Sequence, residues 1–155
     1  MVLSADEVAG VVDLFGALPR DVLHRAVEEL AFREGADVES ERIEATIEEG
    51  LQSYALLEVE LDGETLLAPG PTAFPEMPTG ATDLPHILDE SSREVPPGAI
   101  ERSLRMRLAG AAADITDVAR AEELIDVTYA AEAWAGLDLT DVRNRLEAIG
   151  EDPGE

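Results

Sequence analysis

Apolar residues along this chain recur mostly at spacings of three and four, the period of a helix buried along one face, and switch to strict alternation in one place. Val8, Val11, Val12 and Phe15 share such a face. Ser4 and Glu7 have the spacing of a capping box, and Leu3 with Val8 that of a hydrophobic staple. A first helix is therefore predicted over residues 4–15, ended by Gly16. Pro19, tolerated in a first turn, opens a second helix whose apolar face is Leu23, Ala26, Val27 and Leu30, with Gly35 as a left-handed terminator. A third helix over roughly residues 39–53 carries Ile43, Ile47, Leu51 and Tyr54.

The alternation comes next. Leu57, Val59 and Leu61 interleave with Glu58 and Glu60, and Asp62-Gly63 supplies the positive backbone angles of a tight reversal, with Thr65 to Ala68 returning. Pro69, Pro71, Pro75 and Pro78 then forbid helix and disfavour strand, which makes residues 69–80 a connector. "DLPHILDES" is good for one or two helical turns. Pro96-Pro97 introduces a helix with Ile100, Leu104, Leu108 and Ala111 on one stripe. Thr116 or Asp117 caps the next, which runs to about Gly136 with Ala121, Leu124, Ile125, Thr128, Ala131 and Trp134 on its apolar side. The last helix, entered at Thr140, is defined by Leu139, Val142, Leu146 and Ile149.

The expected fold is mainly α, about six helices with one two-stranded β-hairpin. Residues 1–68 have the helix, helix, helix, hairpin order of a winged-helix-like unit, although the second helix is long and the early strand common in such domains is missing. Residues 69–96 form a Pro-rich connector with a short helix, residues 97–150 the C-terminal helices, which pack on the first part or form a dimer seam, and residues 151–155 a disordered tail.

Charge changes this picture more than length does. The 155 residues include 35 acidic and 11 basic side chains, a net charge of -24, and every basic one is arginine. In dilute buffer such self-repulsion opposes compaction, whereas at ~1 M salt the Debye length falls to about 3 Å and surface carboxylates hardly interact. The acids are spread along the chain, as a molar-salt cytoplasm favours; an acidic nucleic-acid mimic is the rival reading. Cysteine is absent, which excludes disulfides, thiolate nucleophiles and cysteine zinc sites. The start, Met1 to Glu7, has no basic region before an apolar run, and no segment approaches ~18 uncharged apolar residues, so a cytoplasmic protein with no membrane partner is expected.

Candidate chemistry is thin. His24 stands near Asp21 and Glu28 on one helical face, and His86 beside Asp83, Asp89 and Glu90. Such groups can hold a divalent ion, but in a chain this acidic they arise by chance; a solvated histidine is the favoured reading of His24, and a helix start with its usual acidic first turn that of His86. No serine lies in a G-x-S-x-G turn, and a phosphate loop with lysine is impossible. No catalytic, cofactor or metal residue is assigned. Within residues 1–64 there are 17 acids against 4 arginines, so the third helix and the hairpin are poorly charged for phosphate contact. Arg102, Arg105 and Arg107 form the basic cluster, suited to a phosphate, a carboxylate or, as favoured here, ion pairs with acidic helices of this chain or a second subunit.

The stretches LSADEVAGVVDLFGALPRDVLHRAVEELAFREG, SYALLEVE, LLAPGPTAFP and ELIDVTYAAEAWAGLDLTDVRNRLEAI together resemble an uncharacterised family of small haloarchaeal proteins with no assigned activity. The resemblance implies an archaeal cytoplasm and carries over no site residues. The expected class is a non-enzymatic interaction or regulatory protein, with a protein partner or a homodimer. A DNA-binding regulator is the alternative, and an enzyme or metal protein centred on His86 a weaker one.

Overall fold

The computed structural model describes residues 3–35, 39–78 and 80–151, and the tail expected over 151–155 falls outside them from residue 152 on. The chain divides into two compact units, Met1–Pro96 and Pro97–Glu155. The first contains α1 (Ala5–Phe15), α2 (Arg20–Arg33), α3 (Ser40–Gln52), β1 (Leu56–Leu61), β2 (Glu64–Pro69), and a 3-10 turn, Ala81–Asp83, leading into the single-turn α4 (Leu84–Leu88). The second contains α5 (Pro97–Asp114), α6 (Val118–Ala135) and α7 (Thr140–Glu151).

Local chemistry sets α1 as expected. Ser4 Oγ accepts from Glu7 N at 3.1 Å, Glu7 Oε1 accepts from Ser4 N at 3.1 Å, and Leu3 and Val8 are both buried. Gly16 ends the helix at φ +82°, with the Arg93 carbonyl packed where a side chain would stand. The predicted faces of α1 and α2 are buried in one core with Ile43, Ile47 and Leu51 of α3.

Among the described residues no early strand forms, as expected; a single bridged pair stands there instead. Leu18, between α1 and α2, bridges Leu67 of β2 through Leu18 N to Leu67 O at 2.9 Å and Leu67 N to Leu18 O at 2.7 Å. A single bridge leaves no periodicity in the sequence, which is why the pattern misses it. This pairing lays the connection between the first two helices on the edge of the hairpin.

β1 and β2 pair antiparallel, Leu57 opposite Ala68 and Val59 opposite Leu66, turning at Asp62 (φ +51°) and Gly63 (φ +81°). Leu57 and Val59 are buried and Leu61 half-buried, but the residues that join the helical core lie on the other face, Leu56 and Leu67. Both faces are therefore apolar at the base of the hairpin, and its acidic positions Glu58, Glu60, Asp62 and Glu64 lie towards the tip, where Asp62-Gly63 turns. Tyr54, expected on the α3 stripe, lies two residues beyond the helix in the left-handed region (φ +66°) with its side chain buried. Such a backbone costs on the order of 1 kcal/mol or more for a bulky residue. Contacts of its carbonyl, which accepts from Thr72 N at 3.2 Å and closely faces Gly70, help to hold it.

The Pro-rich connector is a strap laid across α1. Asp6 accepts Phe74 N on its carboxylate and Glu76 N on its main-chain carbonyl, each at 3.1 Å, and Thr72 Oγ1 donates to Ser53 O at 2.7 Å. Gly10 of α1 makes the crossing possible, because any β-carbon there would meet the Glu76 carbonyl. Beyond it Ala81 and Leu84 return to the core.

In the second unit α6 packs most extensively on α7. Asp117 caps α6 by accepting from Ala119 N at 3.0 Å, and Gly136 ends it at φ +69°. The α5 stripe is Ala99, Leu104, Leu108 and Ala112, so Ile100 and Ala111 of the expected stripe are only half-buried. On α6 the expected side holds at Ala121, Leu124, Thr128 and Ala131 and fails at Trp134, which is 43% exposed in the last turn. Leu139, Val142 and Leu146 are buried on the α7 side.

Two glycine substitutions test the strap. Alanine at a helical glycine gains up to about 1 kcal/mol. Gly110→Ala, in open space on α5, should therefore be stabilised by about 0.5–1 kcal/mol. Gly10→Ala should instead lose about 1–3 kcal/mol through overpacking against the strap. Denaturant melts at molar KCl measure both, and a stabilised Gly10→Ala would show that the strap does not lie on α1.

Candidate functional site

The surface that a winged helix turns towards DNA is here built from carboxylates. Arg42 on α3 is exposed among Glu41, Glu48 and Glu49. Arg20, at the start of α2, forks onto α3, with Nε and Nη2 at 3.0 and 2.8 Å from Glu44 Oε2 and Nη2 at 2.7 Å from Glu48 Oε1. Arg93 donates to Glu64 at 2.6 Å, so a hairpin carboxylate is also matched from within the unit. A groove of about 560 Å³ runs between the start of α1 and α3, where Arg42, Ser4 and Thr46 stand with Glu39, Glu41 and Glu49. It offers anions one guanidinium against three carboxylates.

The histidines are placed apart from any shared centre. His24 Nδ1 lies 3.1 Å from Glu28 Oε1 and Nε2 2.9 Å from Ser40 Oγ, so the ring links α2 to the start of α3. His86 is exposed on α4, while Asp83 turns to Arg33 at 3.5 Å and Asp89 ends α4 in a left-handed conformation. Among the described residues no three histidine, aspartate or glutamate side chains are grouped to hold a metal ion.

Of Arg102, Arg105 and Arg107, Arg105 is bonded within the second unit. Arg105 Nη2 donates to the Asp138 carbonyl at 2.7 Å, and its other nitrogens lie 3.5 Å from Glu101 and 3.8 Å from Asp141, tying α5 to the turn before α7. Arg107 is half-buried, and Arg102 is exposed.

A polar assembly that the sequence did not announce joins α6 to α7. Arg143 Nη1 donates to Glu132 Oε1 at 2.7 Å and to Thr128 Oγ1 at 3.1 Å, and its guanidinium lies 4.1 Å from the centre of the Tyr129 ring. Glu132 Oε2 accepts Leu139 N at 2.7 Å. The two side chains are only 11% and 21% exposed. The Arg143 hydrogen bond, then that of Leu139 N, holds the Glu132 carboxyl below its ordinary range, and Asp138 is lowered by accepting from the Thr140 hydroxyl and amide. This is a clamp between helices.

Sequence reasoning also missed the aromatic surface. Of six aromatic side chains, Phe15 and Tyr54 are buried, whereas Phe32 (78%), Phe74 (79%), Tyr129 (55%) and Trp134 (43%) are exposed. Trp134 borders a cavity of about 240 Å³ with Pro97, Ile100 and Ala135. The one available signal was in the strap, where Phe74 and Met77 each stand before a proline.

Fold and surface together define a mainly helical protein, three helices and a hairpin followed by further helices, with an acidic third helix and outward aromatics. The chain belongs to a family of unknown function, DUF7109, which it matches over residues 6–151. No curated protein and no solved structure matches it. Among the described residues no helix is long and apolar enough to cross a membrane.

Acidification tests the α6–α7 clamp. Folded Glu132 binds its proton more weakly than the unfolded chain does, so its contribution is complete above the ordinary glutamate range and is lost as pH falls through the depressed folded value. Relative to Glu132→Gln, the wild type should lose melting temperature between about pH 5 and about pH 3 at fixed salt. A difference that stays flat across that window would mean the carboxylate is not engaged.

Proposed function

We propose that this chain is a non-enzymatic interaction or regulatory protein of a molar-salt cytoplasm, haloarchaeal as the resemblance implies, whose winged-helix-like unit meets protein and not DNA. One observation carries the reading: four of six aromatic side chains face outward on a molecule of net charge -24. Aromatic side chains are enriched at protein interfaces and carry much of their binding energy. Phosphate binding instead gains from releasing counterions, a gain that shrinks as salt rises and that needs basic surface. The α3 and hairpin surface has Arg42 as its outward cation, with Arg20 and Arg93 held by glutamates.

The salt assignment rests on self-repulsion. Thirty-five carboxylates against eleven guanidiniums raise the energy of the compact chain at low ionic strength, and that term fades as the Debye length shortens.

Two measurements check the proposal. Fluorescence anisotropy with labelled duplex DNA should give no saturable binding from about 0.2 to about 2 M KCl. Binding lost in Arg102→Glu, a substitution that leaves the Arg105 tether intact, would replace this reading with that of a DNA-binding regulator. The melting temperature should climb steadily as KCl rises from about 0.1 to about 2 M, and a flat or falling curve would remove the high-salt assignment.

A further inference from the structure

We propose that the strap between β2 and α4 is a preformed docking element, which inserts Phe74 and Met77 into an apolar, aromatic-lined groove of a partner protein whose rim carries arginine or lysine. The proposal rests on the interaction reading above and names the surface and the partner's chemistry.

Backbone restriction is the first support. Phe74 and Met77 precede Pro75 and Pro78, and a residue before proline is confined to the extended and polyproline region. Phe74 and Met77 flank Pro75 and Glu76 in a segment that is exposed from 74 to 77. They are 79% and 49% exposed, whereas Ala73 packs against the core and Pro78 is buried. The strap thus has an inner side on α1 and an outer apolar side.

Fixation is the second. Asp6 holds the amides of Phe74 and Glu76, and the missing side chain of Gly10 lets the Glu76 carbonyl press onto α1. A segment held this way loses little further conformational entropy on binding, which is the advantage of proline-rich ligands. Two large apolar side chains within four residues of a fixed backbone also differ from singly scattered exposed residues.

Charge selects the occupant. Glu76 stands exposed between Phe74 and Met77, and Asp13, one turn beyond Gly10 on α1, is exposed as well. An acidic groove or a second copy of this chain would bring carboxylates together as their water is removed, whereas a basic rim pairs Glu76 at contact distance.

The test places benzoylphenylalanine at position 74 of the full chain, and in parallel chains at positions 32 and 134, in cells that express the protein natively. After irradiation, position 74 should give one discrete protein adduct whose linked peptide combines aromatic residues with arginine or lysine. Adding Glu76→Arg should lower its yield about tenfold, and Phe74→Ala should weaken the purified complex about tenfold or more, both with unchanged melting. An adduct to a second copy, to an acidic peptide or to nucleic acid would overturn the proposal. Adducts at position 32 or 134 without one at 74 would overturn it while leaving the interaction reading in place; no adduct at any of the three would remove both.

Discussion

Carboxylate repulsion is the constraint around which the rest of this protein is arranged. With 35 acids and 11 arginines, cations are scarce, and the structure uses five of them as joints between elements. Arg20 joins α2 to α3, Arg33 joins α2 to the turn at Asp83, and Arg93 joins the segment after α4 to β2. Arg105 joins α5 to the turn before α7, and Arg143 joins α7 to α6. Exposed ion pairs contribute only about 0–1 kcal/mol each, and molar salt reduces their Coulomb part further. What survives screening is short-range: forked hydrogen bonds, stacking on Tyr129, and a buried stem. Arginine offers all three and lysine does not, which gives the all-arginine composition a structural meaning besides a solvent one.

That distinction separates what could be read from the chain from what could not. The start of α1, the Asp62-Gly63 reversal and the apolar faces of α1 and α2 are local patterns, and they appear in the structure as read, as does that of α3 up to Leu51. The Leu18 to Leu67 bridge spans 49 positions and consists of one pair, too little to mark a sequence. Arg143 and Glu132 lie 11 residues apart in a chain where carboxylates are everywhere, so nothing distinguished that partner from its neighbours. Trp134 continued the α6 period correctly, yet the last buried position is Ala131, one turn earlier. Periodicity shows which side of a helix a residue is on, and not where the neighbour that covers it stops.

The strap shows a third kind of information. Its prolines forbid helix, and that negative reading was right, but the course over α1 depends on Asp6 and Gly10, sixty and more residues earlier. Gly10 sits in the interior of α1, where glycine is a poor helix former by up to about 1 kcal/mol relative to alanine. A glycine that looks like a weakness in a local reading becomes intelligible once the Glu76 carbonyl is seen against it. The same crossing orients Phe74 and Met77 outward, so a packing detail on α1 governs what the surface displays.

A solvent that screens charge also decides what kind of recognition can work in it. When the Debye length is about 3 Å, long-range steering is lost and selectivity has to arise at contact. Apolar burial does not depend on that length, and a carboxylate meeting a guanidinium across a closed interface is shielded from the salt that surrounds it. An aromatic pair with an acid between them, held on a stiff backbone, combines both terms at one point. In the docking proposed above, Phe74, Glu76 and Met77 would discriminate among partners by repulsion as much as by attraction.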